Sequence, residues 1–349
     1  MAETTAIRPG RRTVTPVTTI EATPPPGDAF ARAAAPYRPE LLAYCYRMLG
    51  SAHDAEDLVQ ETYLRAWRSY GAFEGRSSVR TWLYRIATNA CLTALDNRKR
   101  RPLPAGLGGP ADDPEAPTAP PLEVAWLQPL PDRMLRSGPD DPAAIVAARG
   151  RLRLALIAAL QYLPARQRAV LILRDVLALR AAEVAELLGV SVPAVKSILQ
   201  RARAQLGQAA PAEDDMTEAS GAYERDLLDR YVTAFENADV AALMGLLTAD
   251  AVLEMPPTPT WFAGRDAVAG FFAARVLTAP GAVRMVPTAA NGQPAAAMYQ
   301  RGPDGAHRVH AVMVLTATAA GIAHITAFRD PVLFDLFGLP QVLRPRQDT

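Results

Sequence analysis

The chain has 349 residues, of which 50% are hydrophobic and 21% charged, with a net charge of +1. That balance excludes wholesale disorder and a uniformly basic nucleic-acid coat, so any DNA affinity must rest on local clusters. The length predicts two or three domains. Cys45 and Cys91 are the only cysteines, no apolar stretch resembles a secretory h-region, and no run approaches the ~18 apolar residues of a membrane span. A cytoplasmic protein without disulfides, metal or cofactor is expected.

Residues 1–28, rich in Thr, Pro and Ala, read as a disordered leader. From Phe30 to Gly50 the pattern is helical, with Leu41, Leu42, Cys45, Met48 and Leu49 as the buried stripe and Gly50 as C-cap. Ser51 and Asp54 form a capping box that opens the next helix, which runs to about Tyr70. Val59, Tyr63, Ala66, Trp67 and Tyr70 are expected to make its buried face. Asp54, Asp57 and Glu61, with Gln60, form an acidic stripe on another face, though acids near a helix start are also favoured by the helix dipole. Residues 71–80 read as a loop with Phe73 and two serines. A helix over 81–100 follows, with Trp82, Leu83, Ile86, Ala90 and Ala94 at apolar spacing and Arg98, Lys99, Arg100 and Arg101 as a basic end.

Residues 102–142 are proline-rich and acidic and cannot build a core of their own, so they read as an extended linker. The apolar WLQPLPD patch at Trp126 is unusual for a bare spacer and suggests a docking contact. A helix over 151–163 and another after Pro164 continue a second small core. Residues 181–206 then read as helix, turn, helix. Gly189 supplies the positive φ that ends the first helix, Ser191 caps the second, and Pro193 sits where a missing N–H costs nothing. Val195, Leu199, Ala202 and Leu206 face inward, while Lys196, Ser197, Gln200, Arg201 and Arg203 present groups suited to phosphates and base edges. This is the layout of a DNA-reading helix-turn-helix. An αα-hairpin with a solvated basic face has the same local pattern.

Residues 207–219 form a short acidic linker. From Tyr223, helices near 223–236, 239–247 and 266–274 and strand-like runs VRMVPT, AAAMYQ, RVHAVMVLTAT and IAHITAFRD, with turns at Asn291-Gly292, Asp304-Gly305 and Gly321, indicate an α+β domain.

The stretch DAEDLVQETYLRAWRSYGAF…RTWLYRIATNACLTALDNRKRR closely resembles region 2 of extracytoplasmic-function RNA polymerase sigma factors. ALQYLPARQRAVLILRDVLAL and the helix-turn-helix resemble region 4 of the same family. FENADVAALMGLLTADAVLEMPPTPTWFAGRDAVAGFF resembles the SnoaL-like branch of the cone-shaped nuclear-transport-factor fold. The resemblance implies two all-α sigma domains (29–101 and 143–208), linkers at 102–142 and 209–221, and an α+β cone at 222–343. It implies a non-enzymatic subunit whose partners are core RNA polymerase and promoter DNA. It leaves open whether a separate anti-sigma partner exists.

Carried over residue by residue, Asn89 and the loop around Phe73 and Ser77 match positions that hold a flipped minus-10 base, and Trp82 a position near the start of melting. Arg98, Lys99, Arg100 and Arg101 would hold phosphates. In the second reader Pro193, Ala194, Ser197, Gln200 and Arg201 are candidates for base contacts, Lys196 and Arg203 for phosphates, and the cap Ser191 is a further DNA-binding candidate. Many family members carry a basic residue where this chain has Ile198. Asp54, Asp57, Gln60 and Glu61 match the surface that docks on the polymerase clamp helices. Met255, Trp261, Phe262, Met298, Tyr299 and His310 are candidate liners of a cone pocket, with Asp250, Glu254 and His324 as its other polar groups. The cone is expected to contact the sigma domains or linker and to modulate activity. The competing readings are a SnoaL-type enzyme fused to a DNA-binding module, which needs polar groups converging in one pocket, and a conventional helix-turn-helix regulator, which has no use for a melting loop.

Overall fold

A computed structural model describes residues 26–75, 77–96, 100–135, 152–209 and 221–344. The expected leader lies outside these up to residue 25, and helix α1 (Pro26–Ala34) begins within its last residues. α2 (Arg38–Leu49), α3 (Ala52–Ser69) and α4 (Val79–Leu95) complete the first helical module. Local chemistry sets the breaks. Gly50 takes φ 65°, which an L side chain resists, and the Ser51 hydroxyl accepts the Asp54 N–H at 3.1 Å. One expectation fails here: Trp67 is 55% exposed, while Val59 and Ala66 are buried and Tyr63 and Tyr70 half-buried. The apolar stripe of α3 is therefore narrower than its sequence suggests, and Trp67 falls outside it.

The second module contains α5 (Leu154–Leu160), α6 (Ala165–Leu171) running into a π turn at Ile172–Val176, α7 (Ala181–Leu188) and α8 (Val192–Ala209). Gly189 has φ 64° and the Ser191 hydroxyl accepts the Ala194 N–H, as the residue types require.

The third module packs α9 (Gly221–Glu236), α10 (Val240–Leu246) and α11 (Arg265–Arg275) on a seven-stranded sheet. Its strands are β1 (Leu247–Glu254), β2 (Trp261–Ala263), β3 (Val283–Ala290), β4 (Gln293–Arg301), β5 (His307–Thr318), β6 (Gly321–Phe328) and β7 (Val342–Leu343), with α12 (Val332–Leu336) before β7. The order is β2-β1-β6-β5-β4-β3, with β7 added to β5; β1 and β6 run parallel and the other pairs antiparallel. Asn291 and Gly292 turn β3 into β4 with φ of 58° and 69°, the pair of positive values that matches strand twist in a two-residue hairpin.

This sheet is buried on both faces. Along β4 and β5, Ala296, Met298, Ala311, Met313 and Leu315 join the core under α9–α11. Their alternating neighbours Ala295, Ala297, Tyr299, Val312 and Val314 join a second core, which also holds Leu41 of α2, Leu83 of α4, Ile157 of α5 and Val195 of α8. Strands apolar at every position mark sheets covered twice. Here the second cover is the pair of helical modules.

The linker is extended, as its composition dictates, but it is fastened along its length. The N–H groups of Ala111 and Leu122 donate to the carbonyls of Trp261 and Pro257, at 2.8 and 3.0 Å. That of Ala119 donates to the Thr260 hydroxyl at 2.8 Å. Within WLQPLPD, Leu127, Pro129, Leu130, Pro131 and Asp132 are buried, while Trp126 and Gln128 are half-buried.

Candidate nucleic-acid interface

Three exposed surfaces carry the residues singled out from the sequence. On the first module, Phe73 lies against Trp82 (ring centroids 4.8 Å apart) and stacks on Tyr70 at 6.3 Å. Ser78 caps α4 by accepting the Thr81 N–H. Asn89 is exposed two helical turns beyond Trp82, on the same stripe and about 10 Å along the axis. Ser77 is half-buried. An exposed amide and an aromatic cluster thus lie on one helix stripe, groups able to hydrogen-bond a base edge and to stack a base. Arg98 and Lys99 lie outside the described residues. Arg100 is exposed, but Arg101 is turned inward: it donates to Asp54 Oδ2 at 2.7 Å and to the Trp126 carbonyl at 3.0 Å. A residue expected on phosphates and one expected on the polymerase therefore hold each other in this state.

On α8 and its cap, Ser191, Pro193, Lys196, Ser197, Gln200, Arg201 and Arg203 are exposed and Ala194 is half-buried. Val195, Leu199 and Ala202 are buried beneath them. Ile198 packs, half-buried, against the core, so it lies off the fully exposed stripe that a basic residue there would extend. Arg203 is held by Asp175 of the π turn through two bonds of 2.9 and 2.7 Å, which raises its pKa above the ordinary arginine value.

On α3, Asp57 and Gln60 are exposed, and Glu61 accepts from Arg65 one turn on at 2.6 Å. Leu64 and Trp67, 48% and 55% exposed, continue the same stripe. Sequence reasoning missed them as surface residues; the i, i+3, i+7 spacing from Asp57 and Gln60 was the available signal.

The candidate cone residues do not all face one side of the sheet. Met255, Phe262 and Met298 are filled-in core, whereas Tyr299 points to the opposite sheet face, where its hydroxyl donates to the Pro340 carbonyl at 3.0 Å. Trp261 donates to the Gly108 carbonyl of the linker at 2.9 Å. His310 is lowered by burial to about 4. Asp250 is exposed. Glu254, only 1% exposed, pairs with His324 at 2.8 Å and accepts the Ala105 N–H of the linker at 2.7 Å. Glu254 and His324 hold each other, and Glu254 and Trp261 tie the cone to the linker. Among the described residues no His, Cys, Asp and Glu cluster could hold a metal.

Comparison with known proteins gives matches to the Sigma-70 region 2 model over residues 34–101, Sigma-70 region 4 over 153–206 and a SnoaL-like domain over 228–326. The ECF RNA polymerase sigma factor SigG of Mycobacterium tuberculosis is 52% identical over 316 residues, spanning 90% of this chain and 85% of that protein. The chain belongs to the ECF sigma factors. Such a subunit is a transcription initiation factor, not an enzyme, and works with core RNA polymerase on promoter DNA. ECF sigma factor SigW of Bacillus subtilis is 31% identical over 182 residues, covering 51% of this chain and 87% of that one. The crystal structure of Mycobacterium tuberculosis SigJ shares the fold, with a TM-score of 0.54 at 24% identity over 90% of this sigma factor and 99% of that chain.

The three modules meet at one buried residue of the SnoaL-like sheet. Asn291 is fully buried. Its backbone N–H donates to the Leu130 carbonyl (2.9 Å) and its Oδ1 accepts the Leu130 N–H (2.9 Å). Its Nδ2 donates to the Tyr46 hydroxyl and to the Leu152 carbonyl, both at 2.8 Å. Tyr46 in turn donates to the Gln128 carbonyl at 2.8 Å, and Gln128 N–H donates to the Gly50 carbonyl at 3.0 Å. Region 2, linker, region 4 and SnoaL-like domain are thus stitched through one amide. The sequence marked Asn291 only as a turn residue.

Proposed function

We propose that this sigma factor directs core RNA polymerase to promoters in the cytoplasm, and that its SnoaL-like domain holds regions 2 and 4 in a closed, inactive arrangement. Phe73, Ser77 and Asn89 read the minus-10 element and the exposed stripe of α8 the minus-35 element. Asp57, Gln60 and Glu61, extended by Leu64 and Trp67, dock on polymerase. Among the described residues no helix is long and apolar enough to cross a membrane.

The core shared by both sigma regions and the outer face of the sheet carries the reading. The two promoter elements are named for positions about 25 base pairs apart, or ~85 Å at about 3.4 Å per base pair. Regions 2 and 4 here touch directly: Arg168 of α6 donates to the Met48 carbonyl of α2. Asn89 and most of the α8 stripe remain exposed, so the restraint acts on the separation of the two readers more than by covering them. Polymerase must supply enough binding energy to part them.

Run-off transcription with core polymerase, comparing the full chain with one ending at residue 219, tests this. Higher activity from the shorter chain is expected. Equal activity refutes the restraint, and no promoter-dependent transcript from either refutes the initiation role.

A further inference from the structure

Between regions 2 and 4 lies a cavity of about 340 Å³ that none of the functions above uses. Its wall carries three guanidinium side chains, Arg100, Arg101 and Arg168, together with Tyr162 and Ala165; no carboxylate is among the lining residues, Arg101 reaches out of the wall to Asp54 at 2.7 Å, and Arg100 keeps one bond to the Gly106 carbonyl. Arg168 is the unusual member. It is 4% exposed, and its Nη atoms donate only to carbonyl oxygens: those of Met48, Gln161 and Leu163 and the Gln161 side chain. Its Nε–H has no partner, and no carboxylate pairs with it among the described residues. A buried cation without a counter-charge is costly, and burial lowers this one to about 10. Helix C-terminal carbonyls supply only partial negative charge. Arg100 lies over the Tyr162 ring at 4.4 Å, and Tyr162 is 41% exposed beside it.

We infer that this cavity is a binding site for a small phosphorylated anion of the nucleoside diphosphate class, with the phosphates on the guanidinium groups and the base against Tyr162. Guanidinium forks match phosphate oxygens in geometry and charge, the buried Arg168 adds positive potential that no carboxylate offsets among the described residues, and the volume lies in the range of small-ligand pockets. Arg100 and Arg101 close region 2, whereas Tyr162 and Arg168 belong to region 4. A bound anion bridges the two and holds them closed. That consequence, unlike the binding itself, rests on the closed state being inactive.

The test is titration of the full chain with pyrophosphate and with ADP, followed by heat of binding and by thermal unfolding at constant ionic strength. Saturable binding with a raised Tm is expected for both, tighter for ADP. Ala165→Glu places a carboxylate on the wall at the first position of α6, where a helix tolerates an acid; it should hold or raise the unliganded Tm by offsetting the wall's positive charge, and weaken both ligands by about tenfold or more. Tyr162→Leu should weaken ADP and leave pyrophosphate unchanged. No saturable response to either probe, or equal binding by native protein and Ala165→Glu, overturns the site. ADP binding no tighter than pyrophosphate overturns the role of Tyr162. Binding that leaves transcription unchanged overturns the bridging effect while leaving the site intact.

Discussion

Replacing Asn291 with glycine isolates the contribution of the central amide. Glycine keeps the positive φ of 58° without strain, and a Gly-Gly hairpin suits the turn, so the sheet itself should survive. Three side-chain hydrogen bonds disappear: from Leu130 N–H, to the Tyr46 hydroxyl and to the Leu152 carbonyl. When regions 2 and 4 part from the cone, these groups reach water in native and variant alike, so the loss falls on the closed state alone. At about 1 kcal/mol net per hydrogen bond, rising where a buried donor such as Leu130 N–H is orphaned, the closed state loses about 3 kcal/mol. The closed-to-open ratio should fall by roughly 100-fold. Run-off transcription at limiting sigma concentration should rise, and apparent affinity for core polymerase should tighten, up to the ceiling set by the chain ending at residue 219. Adding Tyr46→Phe removes one partner of the same network, so the double variant should show less than the sum of the singles. Unchanged transcription and polymerase affinity in Asn291→Gly, with native circular dichroism, would refute the coupling.

Other outcomes follow from the three surfaces. Trp67→Ala and Asp57→Lys should each weaken polymerase binding by about tenfold or more while shifting unfolding free energy by no more than about 0.5 kcal/mol, because both side chains are exposed; titration with core polymerase alongside urea unfolding separates the two effects. Gln200→Ala should relax promoter discrimination by about 1–3 kcal/mol at one minus-35 base pair if it reads a base edge, and loss spread evenly over all promoter sequences would assign it to the backbone instead. Asp175→Asn frees Arg203 from its carboxylate, and the salt dependence of promoter binding should steepen by about one counterion. His310 gives a pH signature. Burial lowers it from the ordinary 6.5 to about 4, so between those values the unfolded chain binds a proton that the folded chain refuses. Stability should therefore fall as pH drops through that window, and His310→Leu should remove this part of the decline in thermal unfolding measured at pH steps from 7 to 4.

Local chemistry made much of the helical part legible. Gly50, Ser51, Gly189 and Ser191 end or open helices through bonds to atoms three or four residues away, and the chain states those distances directly. The exposed stripe of α8 followed from spacing in the same way. The α+β character of the last third was equally readable, but the second covered face of the sheet was not, nor was the module that covers it. Tyr299 read as a pocket residue because an aromatic in a cone strand has two possible sides, and only the packed helices of regions 2 and 4 decide between them. Trp67 read as core because its helical position borders the buried stripe, and only the neighbours of α3 show where that stripe ends.

The linker and Asn291 show the boundary most clearly. Composition alone determined that residues 102–135 stay extended, because proline removes backbone donors and breaks regular structure. Their attachment depends on partners more than 100 residues away, such as Glu254 for Ala105 and Asn291 for Leu130. Asn291 and Tyr46 are separated by 245 residues and joined by one 2.8 Å bond. Helix caps, periodicity and family motifs are short-range properties and were fixed by the sequence itself. The closed arrangement is a long-range property, decided by which buried donors and acceptors find each other once the modules pack.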